Sequence, residues 1–214
     1  MLELGLKFTF AYFVGGVMGA LVIGKLRGGI DIRQMGSGNA GGTNALRTQG
    51  KAFAAAVMVV DIGKGILAVT LIPGLNLPLV GFDASVDRDI VLHAVALAAI
   101  LGHVFPVWYG FAGGKGGATA AGLVLYLAPS LGLSIIGLWL AIVFFTGIVG
   151  LATIGATLTA SLYLGLFALP ERATLFVFAC LVAMLTFYTH RGNVQRMSQG
   201  KESRFSRFFG LGSR

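Results

Sequence analysis

The chain has 214 residues, 56% of them hydrophobic and only 11% charged, with a mean hydropathy of +0.86. Its repeated apolar runs approach the length a bilayer demands and exceed that of barrel strands, so it is an integral membrane protein whose backbone polar groups are satisfied within helices. The net charge of +8 does not point to nucleic acid, because no soluble basic domain carries such contacts; basic residues at membrane edges set orientation and meet anionic headgroups.

Leu4 to Leu26 reads as the first span, and its start lacks the basic region and cleavage pattern of a signal peptide. Gly15, Gly16, Gly19 and Ala20 give it a small-residue face suited to close helix packing. Gly28 to Gly50 is polar, and Lys25, Arg27 and Lys51 at its edges place it on the cytoplasmic side. Residues 36–41 match GxGxxG, with Asp61 at the spacing of a ribose-binding acid. A dinucleotide fingerprint needs a preceding strand in a soluble βαβ unit, however, whereas here a membrane helix precedes and Asp61 lies in an apolar run. Ala52 to Pro73 is the second span. Within it Asp61 and Lys64 stand three residues apart on one helical face. A bare charge at mid-bilayer costs at least about 2.5 kcal/mol, so the two form either a mutual pair or part of a binding site.

Gly74 to Arg88, with one proline, two aspartates and one basic residue, is expected outside. Asp89 to Leu101 begins a third helix, in which His93 reads as a hydrogen-bonded helix residue and not a metal ligand. The stretch GHVFPVWYGFAGGKGGAT, residues 102–119, then forms a polar loop at the membrane surface. Its glycines at 113, 114, 116 and 117 let backbone N–H groups approach a ligand, and Lys115 adds a point charge, a combination that suits phosphate. A nucleotide P-loop is excluded, because Gly110 is one residue too close and Gly116 stands where the Mg²⁺-binding hydroxyl belongs.

Ala118 to Leu127 is too short to cross straight through a bilayer and is read as a short or broken helix. Leu131 to Leu151 spans again, residues 153–157 (TIGAT) read as a tight turn, and Leu158 to Leu169 is the sixth helix. Pro170, Glu171 and Arg172 form a short external turn before the seventh, Ala173 to Tyr188. The lone cysteine, Cys180, is a packing residue within it. From His190 to Arg214 there are six Lys or Arg residues and one Glu. Of the 16 basic residues only Lys7, Arg88 and Arg172 fall near the outer face. The expectation is an all-α polytopic protein of about seven transmembrane helices in a single domain, 1–214, N-terminus out. Its basic tail, 193–214, is cytoplasmic, with Phe205, Phe208 and Phe209 either resting on the inner leaflet or solvated.

On this topology the loop with Ser37 to Arg47, the loop with His103 to Thr119, the Thr153 turn and the segment His190 to Arg196 all face the cytoplasm. Together they offer cations (Arg47, Lys115, Arg191, Arg196), glycine N–H groups, hydroxyls and amides, all able to bind phosphate oxygens. No Ser-His-Asp constellation and no H-E-x-x-H motif is present, so no protein general base is evident. A small transporter of an organic phosphate is the alternative, since it also needs a cationic site and intramembrane charges such as Asp61 and Lys64. The polar motifs lie on one face and no inverted repeat is visible, which favours an enzyme.

Four ordered motifs then carry a resemblance over nearly the whole chain: SGNAGGTNALR (37–47), DIGKG (61–65), GHVFP through GGKG (102–106 and 113–116), and HRGN (190–193) followed by Arg196, Gly200 and Glu202. They resemble the bacterial membrane family of acylphosphate-dependent glycerol-3-phosphate acyltransferases. That resemblance implies transfer of a fatty acyl group from acyl phosphate to the sn-1 hydroxyl of glycerol 3-phosphate. The products would be lysophosphatidic acid and inorganic phosphate, in the first committed step of phospholipid synthesis.

The resemblance implies catalytic roles for Ser37, Lys115, His190 and Asn193. Substrate and phosphate contacts are implied at Gly38, Asn39, Thr43, Asn44, Arg47, Lys64, His103, Gly113, Gly114, Gly116 and Thr153, the last at a position where the family usually has serine. Ala112, Ala156 and Gly192 depart from a lysine, a serine and a glutamate common there. It further implies no metal or cofactor, a bacterial inner-membrane location with the site facing the cytoplasm, and a monomer. The implied partners are the two substrates, membrane lipid and the enzyme that supplies acyl phosphate, with no nucleic acid.

Overall fold

The computed structural model describes residues 1–204, and among these the chain is helical throughout, without strands. The segment containing Phe205, Phe208 and Phe209 lies outside the described residues. The chain divides into two compact units, Met1–Leu127 and Ala128–Arg214.

The first unit comprises α1 (Leu2–Gly15), α2 (Gly19–Leu26), α3 (Gly42–Gln49), α4 (Lys51–Leu71), α5 (Arg88–Val104) and α6 (Gly117–Leu127). α5 is its centre and packs on α1, α4 and α6. Its start is fixed by Asp87, whose carboxylate accepts from the Asp89 amide at 2.8 Å. Two glycines let α1 and α5 touch backbone to backbone: a Cβ on Gly15 would stand 2.0 Å from the Ala99 carbonyl oxygen, and one on Gly102 2.0 Å from that of Tyr12. The small-residue face expected on the first span is thus a packing face, and Gly19 continues it against Val57 of α4.

That first span is not one straight helix. α1 and α2 are bent by 43° at residues 16–18, a break that hydropathy does not register because the apolar run continues through it. The freed backbone groups are taken up by α4. Lys64 Nζ donates to the Val17 carbonyl at 2.7 Å, and Asp61 Oδ1 accepts from the Gly19 amide at 3.1 Å. Lys7, expected near the outer face, is fully buried. Its ammonium donates to Glu3 at 2.6 Å and to the Pro73 carbonyl at 2.7 Å. Glu3 in turn holds Arg88 through two bonds of 2.6 and 2.9 Å and accepts from the Asp83 amide. An i, i+4 pair on α1 therefore ties the 72–88 connection to the helices at both of its ends.

The second unit comprises α7 (Pro129–Thr146), α8 (Val149–Phe167), α9 (Ala173–Thr189) and α10 (Arg191–Ser198), with α8 between α7 and α9. Pro129 opens α7, and Gly147 closes it in the left-handed region at φ 70°. The expected turn at Thr153 to Thr157 is instead part of α8, because the chain reverses at Gly147 and Ile148. The hydroxyls of Thr153 and Thr157 bond back to the carbonyls of Val149 and Thr153 at 2.9 and 3.1 Å and stay within the helix.

By length and composition α4, α5 with its following turn, α7 and α8 can each cross a membrane. The bent pairs α1–α2 and α9–α10 (57°) each pass the same test when taken together. α6, with 11 residues, is the short apolar helix expected after the glycine loop.

The α1–α5 contact makes a sharp prediction. Gly102→Ala lowers stability by about 3 kcal/mol or more through overpacking against backbone, whereas Gly63→Ala, whose Cβ meets nothing within 4 Å, leaves it unchanged or slightly raised. Thermal unfolding in one detergent compares them.

Candidate active site

Within the first unit, the loop before α3 is built around Asn44. Its buried side-chain amide donates to the carbonyls of Ile32 and Met35 at 2.9 and 3.0 Å, and its oxygen accepts from the Ser37 amide at 3.0 Å. Gly36 has to be glycine here: its φ is +57°, and a Cβ would fall 2.3 Å from Asn44 Oδ1. Ser37 and Gly38 are consequently held exposed on a shaped turn, while Asn39, Thr43 and Arg47 are half-buried around it.

Asp31 and Arg33 lock the approach to this turn with a 2.8 Å ion pair. The hydrogen bonds that Arg33 donates hold the Asp31 carboxyl below its ordinary range, and the same bonds raise the guanidinium. A depressed carboxylate stabilises the fold above its unfolded pKa, near 4, and loses that contribution as pH falls through the folded value, so the pair is intact at neutral pH. Arg33 also reaches the Tyr109 carbonyl at 3.4 Å and lies 5.9 Å from the Tyr109 ring centroid. The first motif loop is thereby joined to the loop that follows α5.

Beneath the 105–116 loop lies a buried polar cluster. Lys64 Nζ has three acceptors: Val17 O at 2.7 Å, Asp61 Oδ1 at 2.9 Å and His103 Nδ1 at 2.8 Å. An ammonium has three protons and no lone pair, so His103 accepts through Nδ1 and carries its own proton on Nε2. The Asp61 backbone carbonyl accepts from Thr119 Oγ1 at 2.9 Å, while Asp61 Oδ2 is buried without a hydrogen-bond partner among the described residues.

The ring and carbonyl of His103 shape the glycine loop. The Gly114 amide donates to the His103 carbonyl at 3.1 Å. A Cβ on Gly113 would meet that carbonyl oxygen at 2.2 Å, and one on Gly114 would meet the ring Nε2 at 2.2 Å. These two glycines therefore let the loop lie flat on the end of α5. Gly116 follows with φ +84°, and half-buried Lys115 stands between buried Gly114 and Gly116.

In the second unit, Thr153 lies near the start of α8 and accepts from the indole N–H of Trp139 at 3.0 Å. His190 sits at the bend between α9 and α10, buried, with Nδ1 2.9 Å from the Thr186 carbonyl. A carbonyl only accepts, so Nδ1 carries the proton and Nε2 is the acceptor nitrogen of the neutral ring. Asn193, also buried, donates to Glu202 Oε1 at 2.7 Å. Arg196 binds the other Glu202 oxygen at 2.7 Å, and Gly150 of α8 lies against the Asn193 side chain.

The structure thus gathers the Ser37–Arg47, Asp61–Gly65 and Gly102–Gly116 motifs in one unit, and Thr153, His190 and Asn193 in the other. Partners that the sequence reading left unassigned are Trp139, Tyr109, Thr119 and the Asp31–Arg33 pair. Of these only Trp139 is signalled by chemistry, as an indole N–H in an apolar helix that must find an acceptor. No group of three His, Cys, Asp or Glu side chains able to hold a metal occurs among the described residues.

Comparison with known proteins places these features in context. A sequence profile described as "Glycerol-3-phosphate acyltransferase" matches residues 6–200. A protein of that name from Aquifex aeolicus is 39% identical over 92% of this chain and 96% of its own length. One from Neisseria meningitidis serogroup C is 38% identical over 91% and 93%. Among solved structures, the glycerol 3-phosphate form of PlsY (YgiH), an integral membrane glycerol 3-phosphate acyltransferase, aligns with a TM-score of 0.82 and 34% identity over 98% of this chain and 99% of that one. The lysophosphatidic acid form of PlsY aligns at 0.78 and 34%, over 94% of each chain.

The buried cluster is testable by itself. Lys64→Met leaves Asp61 charged and the Val17 carbonyl unbonded and lowers stability by about 3–5 kcal/mol. The double variant Asp61→Asn/Lys64→Met recovers a substantial part, because the uncompensated charge is gone. Denaturation of the two variants beside wild type provides the comparison.

Proposed function

The chain belongs to the glycerol-3-phosphate acyltransferase family, and on that premise we propose that it acylates the sn-1 hydroxyl of glycerol 3-phosphate with acyl phosphate as donor. Lysophosphatidic acid and inorganic phosphate are the products. The observation that carries this reading is the likeness, over 98% of the chain, to a solved acyltransferase in its glycerol 3-phosphate form. The loops of this chain supply chemistry suited to two phosphates. Arg47 and Lys115 offer fixed cations, and the exposed turn at Ser37 and Gly38 offers a hydroxyl and backbone donors.

Acyl phosphate is an activated mixed anhydride. The glycerol hydroxyl attacks the carbonyl carbon, the acyl carbon–oxygen bond to phosphorus breaks, and the departing phosphate takes the hydroxyl proton. The balance closes with no external base. What the protein must supply is charge neutralisation and alignment. Lys115 stabilises developing negative charge and Ser37 donates a hydrogen bond, and the family resemblance assigns His190 and Asn193 to the same reaction. The site faces the cytoplasm, where both phosphorylated substrates would reach it, in a bacterial inner membrane.

Palmitoyl phosphate, palmitoyl-CoA and palmitoyl carrier protein offered to the purified protein separate the possible donors. Phosphate release from palmitoyl phosphate is expected only with glycerol 3-phosphate present, together with a lipid-extractable product. Turnover with the thioesters alone would refute the donor assignment. Lys115→Ala is expected to lower turnover by about 10²–10³-fold in folded protein, the scale set by loss of an oxyanion donor.

A further inference from the structure

The second unit carries a groove away from its motif residues. It lies between the N-terminal half of α7 and the C-terminal half of α8, has a volume of about 390 Å³, and ends at Arg172 in the turn before α9. The motif residues of this unit lie at the other end of the same helices, Thr153 near the start of α8 and His190 after the end of α9. At 1.5 Å per residue, the 19 residues of α8 separate the two ends by about 28 Å.

The groove combines one cation with hydroxyls and apolar side chains. At its mouth stand Arg172 and Ser130. Arg172 is exposed and has no ion pair or side-chain hydrogen bond among the described residues. Ser134 lies one turn further along α7, and Tyr163 and Thr159 lie about one and two turns below the end of α8. The Ser134 hydroxyl is satisfied by the Ser130 carbonyl at 3.0 Å. Those of Ser130, Thr159 and Tyr163 have no protein partner among the described residues, unlike the back-bonded hydroxyls of Thr153, Thr157 and Ser161 on the same helix. Leu131, Ile135, Leu138 and Leu164 line the apolar remainder.

A cation at the surface, with hydroxyls and apolar side chains interleaved along the walls below it, offers partners for the phosphate, the ester carbonyls and the acyl chains of a glycerophospholipid. We propose that this groove binds an intact anionic phospholipid, its phosphate on Arg172 and its ester carbonyls on the hydroxyls of Tyr163 and Thr159, at the end of α8 and α9 opposite Thr153 and His190. A free phosphate would use the mouth alone and leave the hydroxyls and the apolar walls idle. Glu171 stands beside Arg172 in sequence but does not line the groove, so the cation faces the ligand without an acidic neighbour inside the site.

The test uses full-length protein in phosphatidylcholine vesicles with one-fifth phosphatidylglycerol, a trace of it bearing a diazirine on the acyl chain. After photolysis, labelled peptides are mapped by mass spectrometry. Crosslinks concentrated at residues 130–138 and 159–164 are expected, reduced at least five-fold in Arg172→Gln, retained in Arg172→Lys, and unaffected by excess inorganic phosphate. Ser134→Leu, which fills the groove without touching the charge, is expected to reduce them as well. Both neutral variants keep glycerol-3-phosphate-dependent acyl transfer, which shows that they fold. Labelling spread evenly over the surfaces of α7 to α9, equal labelling by a phosphatidylcholine probe, or labelling unchanged in Arg172→Gln would each overturn the proposal.

Discussion

Inside a bilayer a helix that breaks must find new partners for the backbone groups it releases, and the first unit is organised around that requirement. The break at residues 16–18 exposes the Val17 carbonyl and the Gly19 amide, and the Lys64–Asp61 pair on the neighbouring helix supplies one donor and one acceptor for them. Each charge is thus neutralised by the other while also closing a backbone gap. The third proton of Lys64 fixes the His103 ring, and the His103 carbonyl holds the Gly114 amide. A short chain of contacts therefore runs from the bend in the first span to the loop that carries Lys115. The loop is defined in position because the ammonium, the ring and the backbone groups beneath it are bonded to one another.

The two units hide polar atoms in apolar surroundings by different means. The first buries full charges and pairs them: Glu3 with Lys7 and Arg88 at one end, Asp61 with Lys64 further in. Pairs of that kind contribute little net stability, since desolvation offsets attraction, but they make wrong packings costly. The second unit relies on hydroxyls that bond back to the carbonyl four residues earlier, at Thr146, Thr153, Thr157 and Ser161. Such groups need no partner from another helix. Thr153 additionally accepts from Trp139, a contact that joins α7 to α8 beside the motif position.

Much of this was readable from residue order because the physics is local. Asp61 and Lys64 fall three apart on one face, the glycines of α1 recur at packing distance, and the apolar runs match helix lengths. The failures share one cause, that a residue's type does not state which of two uses it serves. TIGAT at 153–157 contains the small residues of a turn, yet those residues pack within α8, and the reversal belongs to Gly147, which takes a left-handed φ that none of residues 153–157 adopts. Lys7 stands alone as a cation in an apolar span, and its partner Glu3 lies just before the start at Leu4 that hydropathy assigns to that span. Glu202 binds Asn193 from nine residues away, across the end of α10, a spacing that no helical period encodes.

The same ambiguity runs through the candidate site. Asn44, Lys64 and His103 are the residue types that bind phosphate, but here the Asn44 amide donates twice and accepts once within its own loop. Lys64 has given all three of its protons to the protein, and His103 is 2% exposed. A donor already saturated in a buried setting contributes to a ligand mainly by holding something else still. The exposed or half-buried groups that these three support are Ser37 on the Asn44 turn, Arg47 one turn further along α3, and Lys115 on the loop seated on His103. A few cations and a hydroxyl held at the surface by a buried network suit a reaction whose substrate brings its own leaving group and proton acceptor. Such a reaction asks the protein for position and charge, and both can be set by residues that never touch the substrate.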